Sequence, residues 1–312
     1  MSVNYTGRLA PSPTGALHLG NVRTFMVAWL RARSQGGRVV FRMEDLDHPR
    51  DKPGAAAQAV DELRWLGFDW DEEHVQSERR DIYRAALEAL KAAGRVYPCA
   101  CSRKDVENAQ SAPHAGEQLH YPGTCRGRFA TWEDAAAVRP PCWRFRVDEG
   151  SVVEFTDAFA GPYPQDVART LGDFPLARDV DGAGYTLAAV VDDAAMGITE
   201  VVRGDDLLPA TPAQILVQKA LGLPQPAYCH VPLVVGPDGR RLAKRHGDTR
   251  IAAYRAAGMS AEAIVGKLAA SCGWGDGSPV RLADLLPVFT LSTISHAPLI
   301  IKNGEWRMEN GE

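Results

Sequence analysis

The chain reads as an α/β protein built on a doubly wound parallel sheet, with a small metal-bearing insertion and a helical C-terminal part. Three observations lead there. Short strands rich in β-branched residues alternate with helical runs early in the chain and again after about residue 174. A Cys-, Pro- and Gly-rich stretch interrupts that alternation. Two turns suited to phosphate lie near the opposite ends of it, and doubly wound sheets bind ligands beyond the carboxyl ends of their strands.

The elements follow in order. A lead through Arg8 and Leu9 ends in Ala10-Pro-Ser12-Pro-Thr-Gly15, and a helix opens at about Gly20. Val22, Phe25, Met26, Trp29 and Leu30 recur on one helical face until Gly36-Gly37 stops the run. Gly37 to Met43 predicts a buried strand ending at Glu44. Ala55 to Leu66 and Arg79 to Ala93 predict helices closed by Gly67 and Gly94, the second entered through Ser77 as its cap. Composition then sets residues 96–173 apart as an insertion, with short strands at Cys142–Val147 and Val152–Phe155. Alternation returns with a helix near Thr186–Val191, a strand at Ile198–Val202, a helix at Pro212–Leu221 and a strand at His230–Val235. After Thr249 the pattern is helical to about Ala270 and then becomes an irregular tail. The expected organisation is a catalytic α/β half over 1–95, the insertion over 96–173, the second half over 174–248 and a C-terminal region over 249–312.

Composition narrows the class. The 312 residues suffice for one large α/β domain with insertions or for two domains, at an ordinary 45% hydrophobic and 24% charged. No apolar run approaches the roughly 18–20 residues that cross a bilayer. The N-terminal residues lack a signal-peptide apolar core, so the expectation is a cytoplasmic, monomeric protein without a membrane partner. A net charge of −4 argues against nucleic-acid binding through bulk charge but leaves room for a local basic face. Arg240, Arg241, Lys244, Arg245, His246 and Arg250 form such a cluster, and Arg126 with Arg128 another.

Two segments carry the chemistry: Arg8 through His18-Leu-Gly-Asn21, and Arg241-Leu-Ala-Lys244-Arg245 after a Gly236-Pro-Asp-Gly239 turn. A histidine beside a helix N-terminus suits an anion, because free N–H groups and the helix dipole both favour negative charge there. A lysine loop closing over the same phosphates would stabilise charge moving onto a leaving group. Alone, such a lysine is usually solvated; the His18 turn upstream makes the catalytic reading the stronger one.

Six cysteines, three of them at Cys99, Cys101 and Cys125, suit metal binding better than a disulfide frame. Three thiolates are one short of the set structural zinc takes. His120 is the obvious fourth ligand on chemistry alone, and a metal-free thiol cluster is the plain alternative. Cys142, Cys229 and Cys272 read as scattered packing residues.

The two segments resemble the HIGH and KMSKS motifs of class I aminoacyl-tRNA synthetases. Ala10-Pro-Ser-Pro-Thr-Gly15 and Arg42-Met-Glu-Asp-Leu-Asp47 look like the glutamyl branch, and the resemblance runs from about Arg8 to about Arg250. It departs at Asn21, the fourth HIGH position, and at Arg241 and Ala243 in the lysine segment. It implies that Lys244 meets ATP phosphates, brought with Mg, that His18 meets the α-phosphate and that Asn21 contacts the nucleoside. It also implies glutamate contacts from Arg8, Ala10, Ser12, Glu44, Tyr185 and Arg203. Asp192, Asp193, Asp205 and Asp206 look structural. The Cys-x-Cys…Tyr-x-x-x-Cys pattern is similar to that of the glutamyl-Q tRNA(Asp) synthetases, in which tyrosine is the fourth zinc ligand. This favours Tyr121 over His120, with Cys99, Cys101 and Cys125 completing a structural site. Ala189 stands where full-length glutamyl enzymes place asparagine, and little sequence follows the lysine segment. The expected partners are therefore ATP, L-glutamate and queuosine-containing tRNA(Asp), with activation independent of tRNA. A shortened glutamyl-tRNA synthetase and a non-catalytic zinc-bearing RNA-binding relative are the alternatives.

Overall fold

A computed structural model describes residues 5–13, 15–46, 52–109, 120–178, 183–240, 242 and 249–301. The first unit runs β1 (Thr6–Leu9), α1 (Leu19–Ser34), β2 (Arg38–Met43), α2 (Ala55–Trp65), β3 (Glu72–Val75) and α3 (Arg80–Ala92). Its strands are parallel in the order β1-β2-β3, with Arg8 opposite Val40 and Phe41 opposite Glu73.

The next stretch holds β4 (Val96–Cys99), α4 (Arg103–Ala109), α5 (Trp132–Ala136), β5 (Cys142–Phe145), β6 (Val152–Asp157), β7 (Gly161–Asp166), α6 (Val167–Thr170) and β8 (Phe174–Ala177). Then come α7 (Tyr185–Ala195), β9 (Glu200–Gly204), α8 (Thr211–Leu221), β10 (Ala227–Val231) and β11 (Val234–Val235). The chain ends its described part with α9 (Ile251–Ala256), α10 (Ala261–Ala270) and β12 (Leu299–Ile300).

Residues 96–173, set apart by composition, contribute to two sheets. β5 is the central strand of one, paired antiparallel with β4 on one side and β8 on the other. β6 instead runs parallel to β10, with β7 folded back on its edge, giving the order β7-β6-β10-β9. Thr199 N–H donates to Thr6 O at 2.9 Å, so the start of β9 lies against β1 and brings the two parallel sheets together.

Period-two alternation then fills two layers. Val39, Phe41, Val202, Cys229 and Val231 join Val22, Met26, Trp29 and Leu30 of α1 in one core. Their chain neighbours Val40, Val201 and Tyr228 face the other, with Tyr83, Leu87, Val190 and Val217. A sheet buried on both faces is what a doubly wound fold requires.

Two local expectations change. Ser77 does not cap α3: its N–H and hydroxyl bind Asp45 at 2.8 and 2.6 Å, and a 3₁₀ turn at Gln76–Arg79 intervenes before the helix. The C-terminal tail is not wholly irregular either. Trp274, Leu282, Leu285 and Ile294 enter the α1 core, and β12 pairs parallel with β11. Its periodicity is hidden because a 3₁₀ turn at Leu282–Val288 and bends carry the burial, not a long regular element.

Candidate active site

His18 is the N-cap of α1. Its Nδ1 accepts from Gly20 N at 3.1 Å and Asn21 N at 3.4 Å, while Asn21 Oδ1 accepts from His18 N at 3.1 Å. This reciprocal cap satisfies donors that the first turn would leave open. It also fixes the tautomer: Nδ1 accepts, so in the neutral ring Nε2 carries the hydrogen. A Cβ at Gly20 would sit 3.1 Å from the imidazole, which is why the smallest residue follows here.

The far end of the basic segment is tied to this turn. Leu19 N donates to Thr249 O at 3.1 Å, Ile251 N donates to Leu17 O at 2.9 Å, and His18 bridges Arg250. The near end is a turn closed by Gly239 N on Gly236 O at 3.0 Å, following β11. Lys244, Arg241 and Ala243 lie outside the described residues, and so does Asp47.

Four of the six expected glutamate contacts gather at the carboxyl ends of β1, β2 and β9 and the start of α7. Arg8 is buried, with Nη1 on Val202 O at 2.8 Å and Nε 3.6 Å from Asp193. Burial pushes its guanidinium down, Asp193 opposes that, and repulsion from Arg42 and Arg203 adds to it. Glu44 follows β2 directly and its N–H donates to Pro11 O at 2.9 Å. Its carboxylate meets Arg42 Nη2 at 3.0 Å; burial pushes the carboxyl up, and Arg42 and Arg8 hold against that. Tyr185 opens α7 with 43% of its surface exposed, and its hydroxyl lies 3.3 Å from Arg203 Nη1. Ala10 and Ser12 lie on the connecting loop, Ser12 exposed.

Sequence reasoning missed the residues that hold these in place. Arg42, fully buried, donates to Asp193 at 2.7 Å as well as to Glu44. Burial alone would lower its pKa, but Asp193, Glu44 and Asp192 more than offset that and raise it. Asp192 accepts from Gln76 at 2.8 Å, Arg79 at 2.7 Å and Tyr83 at 2.7 Å. The two acids that read as structural helix residues thus anchor a buried ionic network under the pocket. Behind Arg203 stand Thr211, His230 and Asp157, all buried. A histidine inside the otherwise uncharged, buried strand β10 was the available signal.

The cysteine cluster forms. Cys99, Cys101 and Cys125 have ligand atoms within 4.8 Å of one another, and Cys101 and Cys125 sulfurs are 3.5 Å apart. Tetrahedral zinc with bonds of about 2.3 Å separates thiolates by roughly 3.8 Å, so the donors fit such an ion. Tyr121 Oη lies 3.3 Å from Cys99 Sγ and 3.7 Å from Cys101 Sγ, while His120 Nε2 is 3.1 Å from Ala168 O. Gly172, at φ +64°, allows Tyr121 in: a Cβ there would fall 2.2 Å from Tyr121 O. Cys142 is not scattered as its sequence position implies. It is the register partner of Cys99, and its hydrogen bond is the first cause holding the Cys99 thiol low.

Residues 5–283 match the family model for tRNA synthetases class I (E and Q), catalytic domain. The glutamyl-Q tRNA(Asp) synthetase of Symbiobacterium thermophilum is 49% identical, over 95% of both chains, and that of Rhodopirellula baltica is 47% identical over 89% of this chain and 88% of its own. The glutamate–tRNA ligase of Aquifex aeolicus is 38% identical, with 97% of this chain covering 65% of that enzyme. A crystal structure of a glutamate tRNA ligase from Elizabethkingia meningosepticum in complex with its amino acid superposes with a TM-score of 0.80 at 27% identity, covering 95% of this chain and 67% of that one. Among the described residues no helix is long and apolar enough to cross a membrane. The chain therefore belongs to the class I tRNA synthetases (E and Q), ligases among which it is similar over most of its length to glutamyl-Q tRNA(Asp) synthetases.

Proposed function

We propose that the protein activates L-glutamate with ATP, without tRNA, and transfers the glutamyl group to queuosine at the wobble position of tRNA(Asp). The observation that best supports glutamate activation is the meeting of Arg8, Glu44, Tyr185 and Arg203 at the strand ends, with a capped His18 turn that follows β1 in the chain and is tied to the far end of the basic segment. The queuosine acceptor is inferred from the named relatives. Two buried guanidiniums suit the substrate side-chain carboxylate, Glu44 suits its ammonium, and Ala10 and Ser12 border the α-carbon.

The substrate α-carboxylate attacks the α-phosphate of ATP, a P–O bond forms, and pyrophosphate leaves with the electron pair of the broken bond. His18, with Nδ1 committed to its cap, offers Nε2–H to the α-phosphate oxygens. Asn21 keeps its amide hydrogens for the nucleoside, because its Oδ1 serves the cap. Lys244 stabilises the charge gathering on pyrophosphate, an effect realised mainly in the transition state. Mg bound with ATP supplies further charge neutralisation. A hydroxyl of the queuosine cyclopentenediol then attacks the mixed anhydride and AMP departs.

Zinc held by Cys99, Cys101, Tyr121 and Cys125 would staple the insertion, since four protein donors leave no open position for catalysis. The basic residues around the lysine segment and the insertion would grip a compact stem-loop, where phosphate contacts position and pocket contacts specify.

Labelled glutamate, ATP and queuosine-containing tRNA(Asp) test the reading. Label is expected on the modified base, and lost when guanosine occupies the wobble site. Label on the 3′ adenosine of tRNA(Glu) would replace this reading with a shortened glutamyl-tRNA synthetase. Absence of glutamate-dependent pyrophosphate exchange would remove activation altogether.

A further inference from the structure

Arg203 is held from behind by a chain of buried groups outside the expected substrate contacts. On the parallel pair β9 and β10, Arg203 stands in register with His230, and Tyr228, two residues earlier, stands in register with Asp157 of β6. Arg203 Nε donates to His230 Nε2 at 2.9 Å. An N–H donor is met only by an unprotonated nitrogen, so the imidazole hydrogen resides on Nδ1. That N–H faces Asp157 Oδ2 at 2.6 Å, and Asp157 is itself fixed by the N–H groups of Phe159, Ala160 and His230 at 2.8–3.0 Å. Thr211 Oγ1 accepts from Arg203 Nη2 at 2.8 Å and passes its hydrogen to Leu207 O at 3.2 Å. The inner edge of the guanidinium is thereby occupied, and Nη1 is left beside the exposed Tyr185.

We propose that Asp157 and His230 are positioning residues, a relay that turns the outer edge of Arg203 toward the substrate carboxylate. The inference rests on the glutamate reading of the pocket. Its physical logic is charge economy. A carboxylate placed directly on Arg203 would orient it equally well but would neutralise the charge the substrate needs. A neutral imidazole fixes the same edge and leaves that charge available, while Asp157 stays one ring away and dictates the tautomer. Burial holds His230 below the usual histidine range, with Asp157 opposing and Arg203 and Arg8 reinforcing, so the ring stays neutral. The Tyr228 ring, 6.1 Å from that of His230 and inclined by 17°, keeps the plane.

The test combines kinetics with a direct view of the ring. His230→Phe removes the acceptor, whereas His230→Gln returns a carbonyl oxygen to it. Losing the aim of one charge-assisted contact is expected to raise the glutamate KM roughly ten- to a hundredfold in His230→Phe. The ATP KM should stay within about twofold, and His230→Gln should recover most of the loss. Equal rises in both KM values, unchanged values, or no recovery in His230→Gln would overturn the relay. Histidine-selective nitrogen NMR on the unaltered protein supplies an arm independent of substrate and of variant folding. The Nδ1–H, Nε2-unprotonated form is expected; the opposite tautomer or an imidazolium at neutral pH overturns the relay. Lack of glutamate-dependent exchange in the unaltered protein would instead sink the functional reading, and the NMR would still judge the relay.

Discussion

Arg42→Leu isolates the ionic network beneath the pocket. Arg42 is fully buried, 3.0 Å from Glu44 and 2.7 Å from Asp193, so its loss takes the close guanidinium from Glu44 and leaves Asp193 with the looser 3.6 Å contact to Arg8. Removing one partner of a buried pair costs about 3–5 kcal/mol, the size expected for close charges at an effective dielectric near 20. For 312 residues, at about 2.1 cal/mol/K of unfolding entropy each, that lowers Tm by roughly 5–8 °C. Leucine also changes the charge of Glu44. Burial already pushes that carboxyl up, and Arg42 is the largest influence holding it down. Without the guanidinium, the carboxylate needed to meet a substrate ammonium appears only at higher pH. The variant glutamate KM should therefore fall as pH rises, with that fall displaced to higher pH than in the unaltered enzyme. Arg42→Lys keeps a charge but cannot reach Glu44 and Asp193 with one planar fork, so it should fall between the two. Urea unfolding measures the first effect and glutamate-dependent pyrophosphate exchange the second. An unchanged urea midpoint, or a variant KM that is normal and flat with pH, would refute the reasoning.

Three further outcomes are expected. Lys244→Ala should depress pyrophosphate exchange on the order of 10²–10³-fold, as for a lost transition-state charge contact, and an unaffected rate would exclude Lys244 from the chemistry. Elemental analysis should find one zinc per chain, lost in Cys125→Ser and weakened in Tyr121→Phe; zinc retained in Tyr121→Phe but lost in His120→Ala would assign the fourth ligand to His120. Asp192→Ala leaves Gln76, Arg79 and Tyr83 without their shared buried acceptor, so unfolding should show a loss of about 3–5 kcal/mol, and a loss under about 1 kcal/mol would disprove the anchoring role.

What the sequence determined by itself is what local physics encodes. The face of α1 is set by residues three and four apart, and its start by His18 and Asn21 within one turn; both are legible in a short window. The cysteine spacing announces a metal-type cluster for the same reason, because Cys99 and Cys101 share one strand end. The family motifs around Arg8, Glu44, Tyr185 and Arg203 also stand in short runs. Only the tertiary structure decided who faces whom. Arg8 reaches Val202 across 194 residues, and His230 meets Asp157 across 73, through strand pairings that no periodicity states. Local pattern fixes which face of a strand is buried but not which strand lies beside it. For that reason Asp157 and His230 were invisible as partners of Arg203, Asp192 and Asp193 read only as helix acids, and Cys142 read as scattered. In the fold, one parallel pairing between β9 and β10 brings Arg203 and His230 into register, and the strand beside it supplies the carboxylate.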